Sequence, residues 1–171
     1  MGTFTTSVVG VLIYQVVDLF PTAAGVAVGP DWLLGALFLA YWQSRLATFG
    51  LSLDGWLTQL LSGLLIGGGV LSLVFALREM RRSKTTVIPH READALVTSG
   101  IFARTRNPIY LGDAMILLGF VLRWDAVLSL VLVPVFVWVI ERRFIVPEEA
   151  GLRRKFRQEF AKYERKTRRW I

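Results

Sequence analysis

The chain has 171 residues, of which 54% are hydrophobic, and it carries a formal net charge of +7. This apolar share exceeds that of ordinary soluble domains and predicts a single all-α integral membrane domain spanning residues 1–171. The absence of cysteine excludes disulfides, thiol nucleophiles and thiolate metal sites. His90 is the one histidine, so we expect no metal site.

The apolar stretches predict about five membrane-spanning helices. The first three are long enough to cross a hydrocarbon core of ~30 Å, whereas the last two, of about 15 residues each, only just reach across it as a tight hairpin. In the third stretch, Gly63 and Gly67 lie four residues apart and are followed by Gly68 and Gly69, and these small residues predict close helix packing. The five stretches are residues 7–28, 32–49, 55–77, 108–122 and 125–140.

The basic residues are concentrated in two segments, seven between Arg78 and Arg106 and eleven between Arg142 and Arg169. Basic segments that flank apolar spans are typical of cytoplasmic loops close to anionic lipid. We therefore expect a multi-pass protein with its polar loop and its C-terminus in the cytoplasm. The same placement argues against a nucleic-acid partner, although the net charge alone would suit one.

The segment from Pro147 onward changes character, because apolar residues recur there every three or four positions with basic residues between them. This pattern predicts a basic amphipathic helix of the kind that lies at a membrane surface. Its apolar positions are Leu152, Phe156, Phe160, Tyr163, Thr167 and Trp170.

The segment 106–112 has two interpretations that stay open at this point. Asn107 suits a helix N-cap and Pro108 the first helical position, while Gly112 and Gly119 share a face that would admit a neighbouring helix. That interpretation does not explain why Arg106 and Tyr110 occur in this segment. A polar helix start also offers free N–H groups to an anionic or polar ligand.

Two further polar features are candidates for function. Glu148 and Glu149 would favour the helix dipole in the first turn after a proline, or would bind ribose hydroxyls or an ammonium group. Asp18 and Asp113 fall inside apolar stretches, where an ionisable residue is a functional candidate by default.

Taken together, three segments resemble the isoprenylcysteine carboxyl methyltransferase family, with phospholipid methyltransferases as more distant relatives. They are residues 96–102, residues 106–112 and the pair Glu148-Glu149. The resemblance covers residues 85–171. It implies an integral membrane methyltransferase that uses S-adenosylmethionine at the cytoplasmic side, with three N-terminal spans in 7–80. Residues 81–171 would then hold the cofactor-binding loop, the helical hairpin and the amphipathic helix.

The resemblance also implies a set of site residues. Arg106 and Glu148 would be catalytic. In two positions the chain departs from the prenylcysteine enzymes, since Asn107 stands where they have histidine and Phe102 where they have tyrosine. The implied cofactor-binding residues are Ala95, Leu96, Val97, Phe102, Asn107, Pro108, Ile109, Tyr110, Gly112, Glu148 and Glu149.

A third departure concerns the methyl acceptor. Prenylcysteine methyltransferases have an arginine four residues before the first carboxylate, where this chain has Phe144. We place Phe144 and Arg143 at the substrate and expect a lipophilic small molecule with a carboxylate, amine or hydroxyl, other than a farnesylcysteine, beside contacts with membrane lipids. The oligomeric state stays open. Two alternatives also remain, an NADPH-dependent sterol-type reductase with a similar C-terminal region and a non-enzymatic lipid-binding protein.

Overall fold

A computed structural model of the chain describes residues 29–46, 50–83 and 95–171. Every regular element in these ranges is helical. The first predicted span, Asp18 and His90 lie outside the described residues. The helices are α1 (Gly29–Leu46), α2 (Trp56–Arg82), α3 (Pro108–Arg123), α4 (Leu132–Ile140) and α5 (Val146–Lys166), with 3₁₀ turns at Gly100–Ala103 and Val127–Val131 and a π-helical segment at Glu141–Ile145.

Among the described helices, α2 alone is both long and apolar enough to cross a membrane. Its 27 residues span about 40 Å at 1.5 Å per residue, and most of its apolar window is not covered by the rest of the protein. The third predicted span is therefore confirmed as a helix of the required length and hydropathy. In contrast, α3 has 16 residues and α4 has 9, and the other predicted spans stay predictions.

The close contact between α2 and α3 depends on glycine. A methyl group at Gly69 would lie 2.6 Å from the carbonyl oxygen of Gly112, and one at Gly119 would lie 2.6 Å from the side chain of Ile66. The predicted helix face of Gly112 and Gly119 is thus confirmed. The predicted close packing of α2 through small residues is confirmed at Gly68 and Gly69, but it does not involve Gly63 and Gly67, because no described atom lies within 4 Å of a methyl group built at either of them.

The helical hairpin predicted from the sequence has a different second arm. After a turn at Asp125, where φ is 50°, the chain passes through the 3₁₀ segment into α4 and then through the π-helical segment directly into α5. The backbone N–H of Val146 donates to the carbonyl of Glu141, five residues back. A π turn just before Pro147 tolerates the missing proline N–H. The predicted helix start at Pro147 agrees to within one residue with α5, which begins at Val146, although the helical backbone continues into it from the π-helical segment.

A sharp kink divides α5 at Arg157, where φ is 38° and ψ is −105°. The kink folds the chain back, so that Arg153 reaches Glu164, eleven residues further on, whereas eleven residues of straight helix span about 16 Å. The apolar positions predicted for this helix point inward, with Phe160 at 1% and Tyr163 at 7% exposure. The amphipathic pattern is confirmed, and its apolar face contacts the protein at Phe160 and Tyr163, while Leu152 and Phe156 are half-buried.

The core of the protein surrounds α3. Tyr110, Leu117 and Val121 on this helix pack against Phe136 and Ile140 of α4, and Ala40 of α1 joins them. Because α3 contacts α1, α2 and α4, it fixes where the polar start of α3 lies relative to the junction between α4 and α5. The segments that the sequence marks as functional meet at this end of the helices.

Candidate functional site

The start of α3 and the start of α5 meet in a hydrogen bond between two side chains. The hydroxyl of Tyr110 donates to Oε1 of Glu148 at 2.8 Å, and the ring of Phe144 lies 6.1 Å from the tyrosine ring. Burial raises the pKa of Glu148 to about 7, and the hydrogen bond from Tyr110 opposes that rise only in part. This carboxyl therefore changes its protonation state close to neutral pH.

The neighbouring carboxylate, Glu149, has a contrasting environment. It is 3% exposed and forms ion pairs with Arg169 at 2.7 Å, Arg106 at 3.2 Å and Arg153 at 3.5 Å. Three guanidinium groups thus compensate the negative charge of Glu149. Both glutamates lie in the first turn of α5, as the dipole interpretation requires, but the helical backbone continues upstream of Val146, which weakens the dipole at this point.

Two more glutamates complete what we call the arginine network. Glu164 pairs with Arg106 at 3.0 Å and with Arg153, and Glu141 accepts a hydrogen bond from Arg169 at 2.6 Å. The network therefore joins three arginines to three glutamates. The two guanidinium contacts hold the pKa of Glu164 at about 2, well below its usual range. Nε of Arg106 is buried without a hydrogen-bond partner, although its guanidinium also faces the Phe160 ring at 5.9 Å.

The C-terminal residues lie across the loop that precedes α3. The backbone N–H of Arg106 donates to the carbonyl of Arg168 at 3.0 Å, and the Asn107 amide donates to the carbonyl of Arg169 at 3.0 Å. The hydroxyl of Tyr163 donates to the carbonyl of Phe102 at 2.7 Å. The loop and the tail therefore hold each other in place. Asn107 stands at the N-cap position as predicted, but its side chain makes no cap hydrogen bond.

The other side of this loop is attached to α2. The hydroxyl of Ser99 donates to the carboxylate of Glu79, and Gly100 adopts a left-handed backbone with φ of 59°. A methyl group at Gly100 would lie 2.8 Å from the same carboxylate. Glycine is therefore favoured here by conformation, whereas the flexible Glu79 side chain could move away from a methyl group.

The structure brings most of the predicted site residues together but not all of them. Arg106, Asn107, Tyr110, Glu148 and Glu149 lie in one connected cluster, with Phe102 and Phe144 at its edges. Residues 95–97 are half-buried in the preceding loop and Ile109 is half-buried at the start of α3. Pro108 and Gly112 face α2 instead, since the Pro108 carbonyl accepts a hydrogen bond from Ser72 at 2.6 Å. Arg143 is exposed and Asp113 is 5% exposed inside α3.

Several residues at the site were not anticipated from the sequence. Arg153, Glu164 and Arg169 enter the arginine network, and Glu79 holds the loop, yet each belongs to a segment that reads as an ordinary charged surface. The kink at Arg157 brings Arg153 and Glu164 together, and no proline or glycine at the kink predicts it from the sequence. Residue type and spacing therefore carry no signal for these contacts.

An all-helical membrane-type fold with this buried polar cluster at one end defines the general class of the protein. A family model described as phospholipid methyltransferase matches residues 57–159, and the chain belongs to this family. It is the second of the two related families that the sequence motifs resemble. Membership makes the chain a membrane-associated methyltransferase. The searches of curated proteins and of solved structures found no match.

The residues at the site fit the methyl donor that this family implies, S-adenosylmethionine. Glu148 is a half-buried carboxylate whose hydrogen bond to a described residue uses Oε1 only, and none of the ion pairs of the described residues involves it. The donor carries a sulfonium and an ammonium charge as well as ribose hydroxyls. A carboxylate of this kind suits each of those groups, because an opposite charge or a hydroxyl compensates for its burial.

Proposed function

We propose that the chain is an integral membrane, multi-pass methyltransferase that uses S-adenosylmethionine and methylates a lipophilic acceptor at the cytoplasmic membrane face. The observation that carries the proposal is the Tyr110–Glu148 pair, a half-buried carboxylate with no arginine partner among the described residues, beside a network in which each of the three glutamates pairs with an arginine. Its position within the family segment supports a role in binding the donor. The single domain, with its N-terminal spans before residue 81, is part of the same proposal.

The bound donor would supply a sulfonium-linked methyl group, whose transfer to the acceptor requires an in-line approach. Such a reaction depends mainly on positioning. Glu148 binds the donor, and Tyr110 orients that carboxylate through its hydroxyl. Residues 95–97 and Phe102 form the loop side of the pocket. Arg106 acts as a positioning residue, since its guanidinium is already occupied by two carboxylates.

The acceptor is proposed to be a lipid-like molecule other than a farnesylcysteine. Phe144, at the position of the prenylcysteine enzymes' arginine, is 3% exposed and packs on Tyr110, so this position supplies no receptor for a free carboxylate. Arg143 is exposed next to it and is the alternative receptor. The family description points to a phospholipid as the acceptor class.

The donor assignment is tested by thermal unfolding of the purified protein in detergent. A ligand that binds only the folded state stabilises it by ~2.7 kcal/mol at a hundredfold excess over its Kd. We expect S-adenosylhomocysteine to raise the Tm and NADPH to have no effect. A rise with NADPH alone would move the chain to the reductases, and a rise with neither would leave a lipid-binding protein.

The acceptor assignment is tested with labelled S-adenosylmethionine. We expect slow or no methyl-ester formation on N-acetyl-farnesylcysteine and incorporation of label into a phospholipid fraction. Rapid methylation of the farnesylcysteine would contradict the proposal for Phe144 and would point to Arg143 as the carboxylate receptor.

A further inference from the structure

The outer surface of α5 and of the C-terminal tail carries a strong excess of positive charge. The excess arises because the fold pairs most of the acidic side chains of this segment and leaves most of its basic side chains exposed. The acidic residues Glu148, Glu149 and Glu164 are paired with Tyr110 or with the arginine network. Outside this network, Glu159 is the one exposed carboxylate between residues 146 and 171. Seven exposed basic residues accompany it, namely Arg154, Lys155, Arg157, Lys162, Arg165, Lys166 and Arg168.

This surface, which we call the basic face, is defined by those seven residues and lies at one end of the membrane-type helix. The hydrogen bond from Arg106 ties the tail to the loop, and the hydrogen bond from Ser99 ties the loop to Glu79 near the end of α2. α2 closes with Arg81 and Arg82, both exposed. A helix of this length that crosses a bilayer places its charged end among the lipid headgroups. The basic face therefore lies beside those headgroups.

The mode of contact follows from what the segment does not expose. Phe160 and Tyr163 are buried against the protein and Leu152, Phe156 and Trp170 are half-buried, so the exposed large apolar residues of this segment are Val146 and Ile171 at its two ends. A surface segment that exposes little apolar area gains most of its affinity for a membrane from charge. We propose that the basic face binds the phosphate-bearing headgroups of anionic lipids in the leaflet at this end of α2. This contact is separate from the methyl-donor site.

The test compares two double variants of the full-length protein in detergent micelles doped with phosphatidylglycerol or phosphatidylcholine. Arg154→Gln with Lys162→Gln removes two charges from the basic face. Arg45→Gln with Arg123→Gln removes two charges at the opposite end, where Arg123 donates to Gln59 near the start of α2. All four side chains are exposed, so the lipid-free Tm of each variant should equal that of the wild type.

We expect phosphatidylglycerol, and not phosphatidylcholine, to raise the Tm of the wild type, with a smaller rise at high salt. Each basic residue near an anionic surface contributes about fivefold in affinity, so the basic-face variant should need about 25-fold more phosphatidylglycerol for the same rise. The opposite-end variant should behave as the wild type.

Three results would overturn the proposal. They are equal responses of the two double variants, an equal rise with phosphatidylcholine, and an equal rise with inorganic phosphate or an oligonucleotide in place of the lipid. The shift produced by S-adenosylhomocysteine, measured on the same samples, keeps this proposal apart from the proposed function. If S-adenosylhomocysteine shifts the Tm of neither the wild type nor the two double variants, the methyltransferase assignment fails while the result with phosphatidylglycerol stands.

Discussion

Replacing Glu149 by glutamine would remove the charge on which three arginines converge. Glu149 is 3% exposed, and its partner Arg106 has a side chain only 9% exposed, so the lost charge cannot be replaced by water. Removal of one partner from a buried ion pair typically destabilises a protein by about 3–5 kcal/mol. Arg106 and Arg169 keep Glu164 and Glu141 as second partners. We therefore expect Glu149→Gln to lower the free energy of unfolding by about 3 kcal/mol, the low end of that range.

The same substitution one residue earlier is the matched control and should have the opposite effect on stability. The folded-state pKa of Glu148, about 7, lies above its ordinary value of 4.5. Its contribution to stability is therefore complete below pH 4.5 and is lost as the pH rises through 7. At pH 8 the buried charge costs up to roughly 3 kcal/mol, which glutamine avoids. Glu148→Gln should thus unfold at the same or a higher temperature than the wild type, and it should lose the shift produced by S-adenosylhomocysteine.

Thermal unfolding of the three proteins at pH 8, with and without S-adenosylhomocysteine, separates the two roles. The expected pattern is a destabilised Glu149→Gln protein and a stable Glu148→Gln protein that no longer responds to the ligand. Equal losses of stability in both variants would refute the division between a structural and a binding carboxylate. A Glu148→Gln protein that still binds the ligand tightly would remove Glu148 from the donor site.

Three further outcomes follow from the same geometry. Affinity for S-adenosylmethionine, measured by calorimetry, should fall about tenfold per pH unit below pH 7 in the wild type, because protonation of Glu148 removes its charge. The same dependence of affinity on pH in Glu148→Gln would contradict this. Gly112→Ala should destabilise the protein by about 1–3 kcal/mol by separating α2 from α3, and Gly63→Ala should cause no loss, so equal Tm values for the two would refute the packing argument. Arg169→Gln should weaken ligand binding and lower stability by about 1–2 kcal/mol, whereas the exposed Arg168→Gln should do neither by differential scanning fluorimetry.

The sequence alone determined the helical class, the helix of membrane-spanning length and the family. These properties depend on composition and local pattern, which a chain carries regardless of its fold. The sequence also predicted Pro108 at the start of α3 and the shared face of Gly112 and Gly119, because a helix places residues at fixed angular intervals. The motif around Arg106 and the Glu148-Glu149 pair identified the right segments for the candidate site.

The tertiary structure decided what those residues do. Glu148 and Glu149 are neighbours of the same type, and only the packing of α5 on α3 gives one of them a tyrosine and the other three arginines. The glycines of α2 that contact α3 are Gly68 and Gly69 and not Gly63, since the angle at which two helices cross depends on all the side chains between them. The kink at Arg157 brings residues far apart in the chain together. Long-range contacts of this kind are properties of the folded chain, and no local pattern encodes them.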